Sequence, residues 1–245
     1  MVYGQNTTIV TYKLLANGNN VTLKITPHYL FRDFHGNQCE NPGIKDCLTL
    51  EERQLILKPF ANAPELHMRW DRGIFKEKLE WHKDIFLSVE AERGLPATED
   101  DFSYGTLEID NFSGSISLAF SDQPISSFNP IDLRKREEQR LEAITNSIQS
   151  NDKVLKDLLL AADQFIVDRK STGSKTILAG YPWFSDWGRD SLIALPGLTL
   201  VTGRFSDAKS ILKTFASSVK HGLIPNCFAD VGNEASYNSV DASLW

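Results

Sequence analysis

Apolar and polar residues alternate strictly in Val21-Thr22-Leu23-Lys24-Ile25-Thr26. Val10, Tyr12 and Leu14 within residues 9–14 follow the same period of two, as do Ile116, Leu118 and Phe120 within residues 115–120. That period predicts strands with one face on a core and one face in water. Turn signals separate the runs: Asn17-Gly18-Asn19-Asn20, Asn41-Pro42-Gly43, Asp71-Arg72-Gly73 and Ser113-Gly114. The first of them joins two alternating runs and predicts a hairpin loop. Short strands at this spacing predict an antiparallel sandwich rather than a parallel sheet with crossover helices.

Past the loop Ser126-Ser127-Phe128-Asn129-Pro130 the period changes. Residues 134–142 are almost all charged and helical in propensity, with Leu141, Ile144 and Ile148 on one side, which predicts a solvated linker helix. Val154, Leu158, Ala161, Ala162 and Phe165 then recur at spacings of three and four, the pattern of an amphipathic helix. Residues 192–200 are apolar nearly all round and predict a buried helix, with Pro196 in its first turns or at a kink. A further helix is predicted with Ser206 as N-cap, Ala208, Ile211, Leu212, Phe215 and Val219 inward, and Gly222 beyond its end. The expected order is thus multidomain, β then all-α: a β-sandwich domain over residues 1–130, a linker helix over 131–150 and a helical domain over 151–245.

The 245 residues are 41% hydrophobic and 24% charged, enough apolar matter for a core, which excludes intrinsic disorder as the dominant state. No apolar run approaches the roughly 20 residues needed to cross a bilayer, so no membrane partner is expected. The net charge of −6 sits in the first half: residues 1–130 hold 12 Lys and Arg against 18 Asp and Glu, and residues 131–245 hold 14 against 14. Neither half has the basic surplus that a nucleic-acid partner requires. Cys39, Cys47 and Cys227 are too few and too scattered for a zinc site or a disulfide framework, so no metal or other cofactor is expected. Three reduced thiols suit a cytoplasmic protein, although Cys39 and Cys47 could pair in an oxidising compartment.

The second half concentrates candidate chemistry in its loops. Residues 180–190, Gly180-Tyr181-Pro182-Trp183-Phe184-Ser185-Asp186-Trp187-Gly188-Arg189-Asp190, carry four aromatics, three charges and two glycines. Sugar rings present apolar C–H faces and a rim of hydroxyls, and their recognition needs flat aromatic surfaces beside carboxylate and guanidinium groups. Gly188 suits a tight turn or a close approach to a ligand. The same residues also suit a core, with Trp183 and Trp187 buried and Arg189-Asp190 a local ion pair. Asp241 reads equally as a helix cap or first-turn charge, and His221 as a helix C-terminal charge.

The segments Ala179–Gly197, Val201-Thr202-Gly203-Arg204-Phe205, His221-Gly222-Leu223-Ile224-Pro225-Asn226 and Tyr237-Asn238-Ser239-Val240-Asp241-Ala242-Ser243-Leu244-Trp245 resemble, in order, the signature segments of the glycogen debranching enzymes in their amylo-α-1,6-glucosidase domain. Phe31-Arg32-Asp33-Phe34-His35 and Glu92-Arg93-Gly94-Leu95 resemble the N-terminal β-domain of that family more weakly. The resemblance implies an antiparallel β-super-sandwich followed by the start of an (α/α)6 toroid. It implies inverting hydrolysis of the α-1,6-linked glucose at a glycogen branch point, with glycogen or limit dextrin as partner. Position by position, Asp241 falls on the general acid, and Trp187, Arg189 and Asp190 on residues that hold glucose in the cleavage subsite. Asn226, Tyr237 and Trp183 fall among the subsite neighbours. An acid role needs a raised pKa, which burial beside Tyr237 and Trp245 would supply.

The family's general base is a Glu far downstream of the acid, and Asp186, Asp230 and Glu234 are not its counterparts. Of the toroid's six helical hairpins, about two can be counted here. The chain is therefore expected to be an internal part of a longer protein, lacking strands before Met1, and inert by itself. A glucoamylase- or trehalase-like toroid and a non-catalytic glycan-binding protein are the alternatives.

Overall fold

The computed structural model describes residues 1–16, 20–33, 36–41, 43, 48–60, 63–181, 184–228 and 235–245. They form two compact units, Met1–Lys135 and Arg136–Trp245. Among the described residues no helix is long and apolar enough to cross a membrane.

The first unit contains β1 (Thr7–Lys13), β2 (Leu23–Ile25), β3 (Leu48–Glu51), β4 (Gln54–Leu57), β5 (Leu66–Trp70), β6 (Ile74–Phe86), the short α1 (Ser88–Glu92), β7 (Thr98–Ile109) and β8 (Ser115–Ser121). One sheet runs β1-β8-β5-β4-β3 and the other β2-β7-β6. Every pairing is antiparallel. One apolar cluster draws on both sheets, with Leu55, Leu57, Met68, Trp70 and Leu118 from the first and Phe75, Phe102, Tyr104 and Leu107 from the second. Two antiparallel layers share one core, as the alternating pattern predicts.

Two details differ from expectation. β1 and β2 do not form a hairpin: β1 pairs with β8 and β2 with β7, so the chain between them changes sheets. The expected turn residues Asn17, Gly18 and Asn19 lie outside the described residues, as do Phe34, His35 and Pro42. β8 has no wet face along most of its length. It is central in its sheet, and Ser117, Ala119 and Ser121 are buried opposite Ile116 and Leu118. Hydroxyl pairs make that burial tolerable: Thr11 Oγ1 lies 2.9 Å from Ser117 Oγ, and Thr7 Oγ1 donates to Ser121 Oγ at 2.9 Å.

α2 (Pro130–Asn146) begins at the Asn129-Pro130 step and buries none of its side chains. Asn129 acts as its N-cap, accepting from the Asp132 N–H at 3.3 Å, and Pro130 fills the first helical position, where no N–H is needed. α3 (Lys153–Phe165) is capped by Asp152, whose carboxylate accepts from the Val154 N–H at 2.8 Å. Its buried residues are Leu159, Ala162 and Asp163, whereas Val154 and Leu158 of the predicted stripe are exposed. Asp163 sets this orientation. It accepts from Arg140 of α2 at 2.7 Å and from Arg204 at 2.8 Å, so the helix turns a carboxylate inward among cations.

The second unit is not helical throughout. Antiparallel β9 (Ile166–Arg169) and β10 (Ser174–Ile177) follow α3 directly, closed by a turn with Gly173 at φ +62. Two four-residue runs are too short for their period to be decisive in the sequence. α4 (Gly188–Leu195) starts four residues earlier than its apolar run. Pro196 opens a widened turn, Pro196–Leu200, in which the Val201 N–H reaches the Pro196 carbonyl at 3.1 Å. A proline has no N–H for the preceding turn and crowds its carbonyl, and widening the helix relieves both. α5 (Phe205–Ser217) takes Arg204, not Ser206, as its N-cap residue and buries Ala208, Ile211 and Phe215, while Leu212 and Val219 stay exposed. These three pack with Ile166, Ile177, Leu192 and Leu195 as the core of this unit.

Candidate functional site

Three of the four quoted segments meet at the N-terminus of α4. Trp187 is its N-cap residue, in extended conformation, and its backbone bridges to Cys227. The Gly188 N–H donates to the Asn226 carbonyl at 2.7 Å. A Cβ on Gly188 would lie 2.3 Å from the Pro225 carbonyl oxygen, so the glycine admits a neighbouring backbone rather than a ligand. The fourth segment returns as a single 3₁₀ turn, Asp241–Ser243, whose Ser243 hydroxyl accepts from the Ile224 N–H at 2.9 Å.

The contact that joins the first and last segments is an ion pair. Arg189 Nη1 donates to Asp241 Oδ2 at 2.7 Å, across 52 positions of sequence. Half of the Arg189 side chain and about a third of Asp241 are exposed. Asp241 Oδ1 also accepts from the Ser239 hydroxyl and from the Ala242 N–H. Asp190 stands exposed on the first turn of α4, beside Arg189. The Arg189 guanidinium holds the Asp241 carboxyl below the usual carboxylate range. This corrects the expectation of a raised pKa from burial: Asp241 is half-open, Trp245 is exposed, and a cation sits on the carboxylate.

Two of the anticipated subsite neighbours are engaged in holding the loops. The Tyr237 hydroxyl donates to the Ser218 carbonyl at 2.7 Å, just past the end of α5, and the Lys220 ammonium lies 5.8 Å from its ring centre. Asn226 is buried, with Nδ2 donating to Asn238 Oδ1 at 3.0 Å and Oδ1 lacking a partner among the described residues. Trp183, Asp230 and Glu234 lie outside the described residues. Cys39 and Cys227 are free thiols, and Cys47 also lies outside the described residues. His221 is not at a helix end. It sits at φ +52 with Gly222 at +79 in a two-residue turn whose flanks, Lys220 and Leu223, exchange both backbone hydrogen bonds at 3.0 Å.

Sequence reasoning missed the group that fixes this loop. Asp186 is fully buried, accepting from Arg169 Nη1 at 2.6 Å and from the Thr176 hydroxyl at 2.8 Å. Arg169 in turn lies over the Phe228 ring, 5.5 Å from its centre. The pair ties β9 and β10 to the residue before Trp187. Its only trace in the sequence is a carboxylate within an aromatic-rich loop, and nothing in the spacing names Arg169 as its partner.

An open helix N-terminus with a tryptophan, a guanidinium and two carboxylates can grip vicinal hydroxyls bidentately against an aromatic face. A family model described as amylo-alpha-1,6-glucosidase matches residues 160–245, and one described as glycogen debranching enzyme N terminal matches residues 1–115. The two matches follow one another along the chain, and both describe parts of the same enzyme family. It belongs to the glycogen debranching enzyme family. A Saccharomyces cerevisiae (strain ATCC 204508 / S288c) protein named glycogen debranching enzyme is 37% identical over 118 residues, which is 42% of this chain and 8% of the yeast protein. No solved structure matches the chain.

Proposed function

We propose that the chain contributes a β-super-sandwich and the opening of an (α/α)6 toroid to an inverting amylo-α-1,6-glucosidase of glycogen breakdown in the cytoplasm. The domains of this reading are residues 1–130, the linker helix 131–150, and 151–245. Asp241 is the general acid. Trp187, Arg189 and Asp190 hold the glucose at the cleavage point, and Asn226, Tyr237 and Trp183 shape its surroundings. The Arg189–Asp241 contact carries the reading, because it unites two distant family segments beside Trp187 at one solvent-open helix end.

An inverting hydrolase needs a protonated carboxyl at the leaving oxygen and an ionised carboxylate on water, about 6.5–9.5 Å away. In the sugar-free arrangement Arg189 keeps Asp241 ionised. Glucose hydroxyls that draw the guanidinium away remove the group that depresses the carboxyl, and a sugar that also seals it from water raises its pKa further, toward that of a proton donor. The base has no counterpart among these 245 residues, and the chain alone is inert. The test uses phosphorylase limit dextrin and a polypeptide that carries these residues together with a downstream glucosidase region. β-Glucose should be the first product, and Asp241→Asn should cost about 10²–10⁴-fold in rate. First-formed α-glucose, or glucose release by the 245-residue chain alone, contradicts this reading.

A further inference from the structure

A second cluster lies in the first unit, on β7. Phe102 and Tyr104 belong to the core, and the residues that alternate with them, Glu99, Asp101 and Ser103, are buried on the other face. Buried polar groups need partners. Glu99 receives Arg32 in a two-pronged contact at 2.6 and 3.1 Å. Asp101 receives imidazole instead. The β6–β7 register puts His82 directly opposite Asp101, on the same face. His28, beside the Tyr29–Phe102 bridge, sets Nδ1 2.9 and 3.0 Å from the two Asp101 oxygens. The two imidazoles stack with centroids 4.2 Å apart, and the Ser103 hydroxyl restrains His82 at 3.1 Å from Nε2. One donor atom from each of His28, His82 and Asp101 lies within 4.8 Å of the others.

We propose that His28, His82 and Asp101 form a binding site for a divalent transition-metal ion of the zinc class. Two imidazoles and one carboxylate suit such an ion, whereas magnesium and calcium favour shells of oxygen. A tetrahedral ion with ligands at about 2.0–2.1 Å needs donor atoms roughly 3.3 Å apart. His28 already stands near that distance from the carboxylate. The half-exposed histidines close the remaining gap by side-chain rotation, with buried Asp101 as anchor. Three protein ligands leave a fourth position for water. The ion would clip the chain before Tyr29 to the β6–β7 ladder, next to the register shift between His82 and Ile85, a place where ladders often host sites.

The test is calorimetric titration of the metal-stripped 245-residue chain with zinc chloride, alongside Co²⁺ absorption spectra and thermal melts. One Zn²⁺ per chain is expected, with a raised melting temperature. His28→Gln and His82→Gln should each weaken binding at least tenfold, while Cys39→Ser and His221→Gln leave it unchanged. Asp101→Asn alters a buried group and can cost the fold, so exposed His28 carries the decisive variant, checked by circular dichroism. Binding only at millimolar zinc, or binding that survives both histidine variants, overturns the proposal.

Discussion

Two ion pairs flank Trp187 and Gly188, and they are built for opposite tasks. Asp186, before the tryptophan, is sealed from solvent and shares its carboxylate between Arg169 and Thr176. Arg189, after the glycine, reaches a carboxylate in the open. Removing one partner of a buried pair strands a charge without water, whereas an exposed pair exchanges its partner for solvent or ligand at little cost. The buried pair therefore fixes the loop, and the open pair remains free to trade one hydrogen-bond partner for another.

The largest test of this contrast is Asp186→Ala, which should destabilise the second unit by about 3–5 kcal/mol in chemical denaturation, since Arg169 loses its buried counter-charge. A loss comparable to that of an exposed pair would erase the distinction. Gly188→Ala comes next, at about 1–3 kcal/mol, because a methyl group must displace the Pro225 carbonyl. The displacement should also disturb the Arg189–Asp241 contact, visible as an altered Asp241 titration by NMR. Arg189→Ala should leave the melting temperature near that of the parent but raise the Asp241 pKa toward the ordinary carboxylate value, having removed the guanidinium that depresses it. An unmoved pKa would refute that cause.

The smallest effect is the pH dependence of the open pair. The folded-state pKa of Asp241 lies below its unfolded value. Its stabilisation is thus complete above the ordinary carboxylate range and fades as pH falls through the depressed pKa. The acid limb of a stability–pH curve should therefore lose only a slight component in Arg189→Ala.

Legibility in the sequence followed the range of the interaction. The strands at residues 23–25 and 115–121 and the helices at 153–165 and 205–217 announce themselves by period, because burial acts on each local segment. The period does not reveal that β1 pairs with β8 instead of forming a hairpin with β2, since that partner lies about a hundred residues later. Nor does it reveal the inward face of α3, because Asp163 meets arginines from residues 140 and 204. The site residues Trp187, Arg189, Asp190 and Asp241 stood out as types in family-like segments. That Arg189 depresses Asp241, and that Tyr237 points its hydroxyl at a backbone carbonyl, did not.

The amino-acid order alone specified the elements long enough to show a period, though not β9 and β10, and which loops hold sugar-compatible residue types, because period and composition are properties of neighbouring positions. Folding specified the partners. Arg169 with Asp186, Arg189 with Asp241, and His28 with His82 and Asp101 are separated by 17, 52 and up to 73 residues. Charge and hydrogen bonding act through space over a few ångströms, and only the packed chain brings those distances about.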